Sequence, residues 1–262
     1  MVMGCSQDII EDLVLVKGGP FVNTKSNLYG KDVTVADFYI GKHEVTQKEW
    51  VEIMGSNPSS FIGANLPVEM VSWYDCVEYC NKRSSKEGLK PYYNINKALK
   101  DVDNLSEFDS IKWVVTINRG ANGYRLPTEM EWEYAASGGQ LSKSYIYSGS
   151  DDVDEVAWYW KNSGDTVLTG AWSWTMLENN RNRTKPVGSK NPNELGLYDM
   201  SGNVREWCED WFEDEEVPSG LVRVQRGGGW IGAEYRCESA NRHSFEASGK
   251  GPDQGFRVCR SI

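Results

Sequence analysis

Histidine is nearly absent from the 262-residue chain: only His43 and His243 occur, far apart. A zinc site built from several histidines is excluded, and a Ser-His-Asp or Cys-His device would have to use one of these two. Both read as ordinary surface or loop histidines. An excess of positive charge is lacking too. With 28 Lys and Arg against 38 Asp and Glu the net charge is -10, and no basic stripe stands against that total. Such a chain has no footprint for a phosphate backbone, so nucleic-acid partners are excluded. There is no long unbroken apolar run, so nothing reads as a membrane span. Neither a Pro/Ser-rich linker nor a repeat divides the chain, which leaves one domain large enough to bury a sizeable core.

What is present is aromatic and glycine-rich: 11 Trp, 13 Tyr and 26 Gly. Three helix starts carry capping chemistry, in which an N-cap hydroxyl meets the N3 amide and an N3 carboxylate returns to the N-cap amide. They are Thr46 with Glu49, Ser72 with Asp75, and Thr128 with Glu131. After Ser72, the residues Trp73, Cys76, Val77 and Cys80 recur at helical spacing and predict one buried face. Phe38 to Ile40 and Ile111 to Ile117 read as short strands, and Lys90 to Asn104 as hairpin and loop. From Gly138 onward Gly, Ser, Asn and Trp dominate without sustained periodicity, which predicts ordered irregular structure packed around tryptophan. The reading is an α+β, loop-rich single domain.

The first residues, Met1-Val2-Met3-Gly4-Cys5-Ser6-Gln7, hold neither a charged nor an apolar leader segment. A small residue followed by Cys is what a truncated bacterial lipoprotein start looks like. Residues 1–14 are therefore expected to be a tail acylated at Cys5, ahead of a domain over 15–262. Any membrane contact would then run through the lipid alone. Cys76 and Cys80 lie four apart on one helix face, a poor geometry for a mutual disulfide. In an exported chain Cys80–Cys259 and Cys208–Cys237 are the preferred pairs, although spacing does not fix connectivity.

Candidate chemistry is thin. Glu213 to Glu216 reads as a solvated loop, and Asp151, Asp152, Asp154 and Glu155 lack calcium-loop spacing. Gly227-Gly228-Gly229 stands in no strand–helix context for phosphate and reads as tight backbone beside Trp230. Glu206, Glu209 and Asp210 are carboxylates suited to acid–base work, but no local signal marks them as buried.

Longer segments carry a resemblance. His43-Glu44-Val45-Thr46, Pro67 to Trp73, Gly123 to Ala136 and Asn193 to Trp207 occur in order, followed by Arg226-Gly227-Gly228-Gly229-Trp230 and Gly255-Phe256-Arg257-Val258. Together they resemble the formylglycine-generating-enzyme/sulfatase-modifying family from about Leu15 to Ile262. The resemblance implies a variant C-type lectin fold. It also implies an oxidase acting on a sulfatase cysteine through two cysteines five positions apart near the Arg-Gly-Gly-x-Trp segment. Here Cys237 stands at the second of those positions and Gly232 at the first. Glycine offers no thiolate, so the dithiol chemistry is not expected.

The segment from Arg223 to Arg260 resembles instead the variable region of diversity-generating-retroelement proteins, whose spirochaete members are lipoproteins. In that branch adenine-directed mutagenesis rewrites Asn codons on a ligand-binding face. Ile231, Gly232, Tyr235, His243, Ser244, Phe245, Ser248 and Asp253 are all reachable from an AAC codon, and Asn241 is the template residue itself. Glu234, Glu238 and Lys250 need another starting codon. The expectation is a lipid-anchored protein of the bacterial cell surface or outer membrane, monomeric and non-catalytic. It would bind a protein or other macromolecular ligand through Ile231, Gly232, Glu234, Tyr235, Glu238, Asn241, His243, Ser244, Phe245, Ser248 and Asp253. The alternatives are the oxidase, or a structural lipoprotein without a specific ligand. No cofactor is called for, apart from calcium in the family's loops, which here would involve Asn203 and its neighbours.

Overall fold

Three capping boxes set the main helices. In the computed structural model, which describes residues 12–21, 33–118 and 120–262, α1 (Gln47–Met54), α2 (Trp73–Lys86) and α3 (Glu129–Ala136) each begin as the sequence predicts. The hydroxyls of Thr46, Ser72 and Thr128 accept from the N3 amides, and the N3 carboxylates answer. Each cap stabilises its helix by about 1 kcal/mol. Helix α2 buries Trp73, Cys76, Val77 and Cys80 as expected, and Tyr74 and Tyr79 besides. Two shorter helices follow, α4 (Val153–Val156) and α5 (Trp174–Asn179).

The first sheet contains β1 (Leu13–Val16), β4 (Phe38–Gly41), β7 (Tyr124–Arg125) and β12 (Cys259–Ser261), in the order β1-β4-β12-β7 with every pairing antiparallel. Strand β1 starts two residues ahead of the domain boundary expected at Leu15. Cys5 lies outside the described residues. β2 (Gly19–Phe21) and β3 (Val33–Val35) form a small ribbon. The second sheet contains β8 (Arg205–Trp211), β9 (Arg223–Arg226), β10 (Arg242–Phe245) and β11 (Gln254–Gly255), in the order β10-β9-β8-β11. Between helices α2 and α3, β5 (Tyr93–Lys100) pairs with β6 (Trp113–Ile117) as a separate hairpin. The predicted strand from Ile111 thus begins at Trp113, after Lys112 with its positive φ of 51°.

Three apolar clusters fill the interior. One gathers α1, α2 and Phe256; a second joins the first sheet to α3; a third holds Ala157, Tyr159, Trp160, Leu177, Trp230 and Cys237. Long irregular segments pass between them, and buried side-chain amides stand in for ladder partners. Asn182 donates to the Trp160 carbonyl at 2.6 Å, and Asn193 to that of Ala135 at 2.8 Å.

The described cysteines correct the expected disulfides. Cys76, Cys80, Cys208, Cys237 and Cys259 are all buried free thiols. Cys80 packs in the first cluster and Cys259 in the second, while Cys208 belongs to the second and Cys237 to the third. Each thiol sits in the core as a small apolar group, and neither Cys80–Cys259 nor Cys208–Cys237 is formed.

Candidate functional site

Two glycines shape the turn that opens the segment of interest. Gly227 and Gly228 follow β9 with φ of +87° and +73°, and a Cβ on Gly228 would stand 2.7 Å from the Arg236 carbonyl oxygen. Only glycine suits both the conformation and the approach. Trp230 is pinned beyond them: its indole N–H donates to the Pro252 carbonyl at 2.8 Å, and its ring meets Phe61 edge-on.

Behind this turn lies a buried charge lattice. Arg226 is fully buried, 3.1 Å from Glu129 and 2.7 Å from Glu133. The Arg242 Nε bonds Glu129 at 2.6 Å and so fixes β10. The Arg226 guanidinium also donates to the Ser239 carbonyl, and the Ser201 hydroxyl to that of Cys237, both at 2.8 Å. The segment from Ile231 to Ser248 is therefore bound to the core in part through its backbone.

Most of the residues expected to form the face are placed along this segment with differing exposure. Tyr235 is half exposed, while Ile231, Glu234, Glu238, Asn241, His243 and Ser244 are half-buried. Glu234 pairs with Lys161 at 2.8 Å. Phe245 leans on the first apolar cluster, and the Ser248 hydroxyl accepts from the Ser110 amide at 3.2 Å, so these two sit toward the β5–β6 hairpin. Two expected positions present no side chain to a ligand. Gly232 is buried, and Asp253 is only 4% exposed, held 3.3 Å from Arg205 and packed against Gly229.

Arg205 and Arg236 were missed from sequence, yet they dominate the local field. The Arg236 guanidinium lies 3.3 and 3.1 Å from the two ring nitrogens of His243. Burial first, then Arg205, Arg236 and Arg226, push the His243 pKa down to about 3, so the ring stays neutral. Contrary to the reading of an ordinary loop histidine, it is a strand residue wedged among arginines. Burial raises Asp253, opposed by Arg205 and Arg236.

Oxidase chemistry finds no dithiol here. Cys237 is completely buried, and desolvation pushes its thiol up to about 12, so it is protonated at neutral pH. Gly232 supplies no second sulfur. The carboxylates Glu206, Glu209 and Asp210 are also engaged. Glu206, which no local signal marked as buried, is fully enclosed with Arg257 at 2.6 Å. Glu209 accepts from Tyr93, and Asp210 from the Glu129 amide. The loop around Asn203 does not fit calcium. The Asn203 amide oxygen accepts from Lys185, and both Glu44 oxygens are taken by Asn203 and Val204. Among the described residues no group of three or more His, Cys, Asp or Glu is placed to hold a metal ion.

A loop-rich α+β scaffold with this Arg-Gly-Gly-x-Trp turn and buried Gly-Phe-Arg arginine is a variant C-type lectin fold of the formylglycine-generating type. The chain belongs to the sulfatase-modifying factor enzyme 1-like domain family, which it matches over residues 3–262. It is 59% identical to the chaperone protein LppX of Paenibacillus barcinonensis over 253 residues, covering 97% of this chain and 90% of that protein. A formylglycine-generating enzyme of Streptomyces coelicolor is 36% identical over 155 residues, covering 52% of this chain and 46% of the enzyme. Among solved structures, Treponema denticola variable protein 1 superposes with a TM-score of 0.75 at 31% identity, covering 96% of this chain and 94% of that one. The family thus spans enzymes and variable proteins on one scaffold. Among the described residues no helix is long and apolar enough to cross a membrane.

Proposed function

We propose that this chain is a non-catalytic binding protein of the bacterial cell envelope, anchored by a lipid on Cys5, that holds a protein partner against the Ile231–Ser248 face. The observation that carries this reading is the 59% identity, across nearly the whole of both chains, to a protein named as a chaperone. The lack of a second cysteine at Gly232 supports it. Half-exposed Tyr235 offers large contact area at low entropy cost, while Glu234 and Glu238 supply polar specificity on a fixed backbone.

A photo-crosslinking residue at position 235, in cells, tests the reading. The expected result is a discrete adduct with one exported protein, absent when the crosslinker replaces exposed Leu141 on another surface. Identical adducts from both positions would overturn it. An aldehyde formed on a Cys-x-Pro-x-Arg peptide under oxygen and copper would restore the oxidase. A diversified receptor is the second reading, favoured by the likeness to the Treponema variable protein. It requires substitutions confined to adenine-bearing codons between Arg223 and Gln254 when the gene is sequenced deeply from one population.

A further inference from the structure

Beside that face lies a lobe whose charge runs against the rest of the molecule. From Lys161 to Lys190 the chain carries five Lys or Arg and two acids, although its net charge is -10. Within the lobe the twelve residues from Thr166 to Leu177 carry no charge at all. Asn180 ties the two arms of the lobe together. Its side-chain oxygen accepts from the Thr166 amide at 3.0 Å, and its carbonyl from the Asp165 amide at 2.8 Å. The chain leaves this tie at Val167 and returns through α5. Leu177 belongs to the third apolar cluster and Leu168 packs against it, which anchors the excursion.

The outer side of the excursion is apolar and open. Val167 is 73% exposed, Trp174 51% and Trp172 42%. The Trp172 indole N–H donates to the Ile231 carbonyl at 3.0 Å, so the ring is fixed while exposed. Trp172 and Trp174 meet edge-on with 5.3 Å between their centres, a wedge rather than a flat shelf. Tryptophan joins an apolar body to one polar N–H, a combination that settles where a bilayer meets water.

Cations follow the tip. Past Asn180 come Arg181, Arg183 and Lys185. Arg181 pairs with exposed Asp165 at 3.3 Å, while among the described residues no carboxylate lies within ion-pair distance of Arg183 or Lys185. The lobe's other acid, Glu178, is exposed on α5. Burial, then the charge of Arg183, pulls the Lys185 amine below its ordinary range, and Asp165 offsets only part of this. Arg183, Thr184 and Lys185 line a cleft of about 380 Å³ together with Ile62 and Leu66, and no acid lines it. Thr184 is 1% exposed, and its hydroxyl has no partner. Two crowded cations and an idle hydroxyl suit phosphate oxygens, which accept from all three.

We propose that this lobe is a membrane-docking surface: Val167, Trp172 and Trp174 enter the interface of a phospholipid bilayer, and a lipid phosphate meets Arg183, Lys185 and Thr184. Apolar insertion and charge are each weak alone and add up to binding together. The rest of the chain is acidic, so an anionic bilayer attracts this lobe and disfavours the other surfaces, which sets the orientation. Because Trp172 is bonded to Ile231, docking brings the face from Ile231 to Ser248 close to the bilayer. The surface needs no lipid on Cys5 and stands whether or not that face binds a protein.

Vesicle co-sedimentation of the full chain carrying Cys5→Ser, so that no acyl chain contributes, tests it. The chain is expected to bind phosphatidylcholine vesicles containing about 30% phosphatidylglycerol, and phosphatidylcholine alone more weakly. Val167→Ser with Trp174→Ser should weaken binding about tenfold, and Arg183→Gln with Lys185→Gln about fivefold, with little change in melting temperature. Tyr235→Ala should leave it unchanged. The five described native thiols are buried, so an environment-sensitive dye on Val167→Cys reports the tip. Its emission should shift to the blue on vesicles, and that of a dye on Leu141→Cys, an exposed position elsewhere, should not. No sedimentation with either vesicle, both double variants binding like the unaltered chain, or a shift at Leu141 in place of Val167 would overturn the proposal. So would inorganic phosphate binding without vesicle binding, which marks a free-phosphate site. A discrete protein crosslink from position 174 without vesicle binding marks a protein interface and overturns it too.

Discussion

Replacing Arg257 by Met should cost about 4 kcal/mol of folding stability at neutral pH. Arg257 is fully buried and holds Glu206 with two bonds of 2.6 Å, Nε to Oε2 and Nη2 to Oε1. It also donates to the carbonyls of Gly41 at 3.0 Å and Tyr198 at 2.9 Å. Burial raises two further acids nearby, Glu44 and Asp199, and the Arg257 charge opposes that rise. Methionine fills similar space but leaves Glu206 with a single donor, the Trp132 indole N–H at 2.7 Å. Breaking a buried pair from one side costs roughly 3–5 kcal/mol, because the remaining charge stays desolvated. That is a large part of the roughly 5–15 kcal/mol that holds a domain folded. Urea unfolding followed by tryptophan fluorescence measures the loss. The double variant Arg257→Met with Glu206→Gln should recover about half. A loss under about 1 kcal/mol, or no recovery in the double variant, would refute the account of Arg257 as the counter-charge to Glu206.

Other outcomes follow from the same geometry. Burial pushes both Glu69 and Glu133 from 4.5 up to about 7, so the folded chain holds protons that the unfolded chain releases. Stability should therefore fall as pH rises from about 4.5 to 7, with Glu69 contributing at most about 3 kcal/mol. Melting curves across this range should show it, Glu69→Gln should flatten it, and a melting temperature rising through the window would count against it. The five described thiols should stay silent to a thiol reagent in the native protein and all titrate in denaturant without reductant; a shortfall of two would revive a disulfide. Gly202→Ala should destabilise by about 3 kcal/mol or more, because φ is +80° and the new Cβ would stand 2.4 Å from the Trp158 carbonyl oxygen. Equilibrium unfolding of that variant checks the figure.

Local chemistry was readable before the fold was known. The capping boxes at Thr46, Ser72 and Thr128 depend on residues three apart, and all three formed. Exposed Glu213 to Glu216 and the left-handed Gly227 and Gly228 also follow from local rules. What escaped was partnership across the chain. Glu206 and Arg257 are 51 residues apart, and Glu129 and Arg226 are 97 apart. Without the fold each reads as one more surface charge. Asp253 was misplaced for the same reason, since its burial depends on Arg205 from β8 and Gly229 from the turn after β9. The cysteines misled because small buried thiols and disulfide partners have the same spacing statistics. The arginines around His243 lie on β8 and the turn before β10, an arrangement no periodicity encodes.

The place of β12 has a consequence for the order of folding. Strand Cys259–Ser261 lies inside the first sheet, paired with β4 on one side and β7 on the other. Until β12 docks, β4 and β7 have no strand to join them, and Arg257 cannot reach Glu206. The first sheet is therefore closed by contacts between segments far apart in sequence, which makes its completion slow and leaves strand edges open in the meantime. A protease present during refolding would cut the open form and spare the closed one.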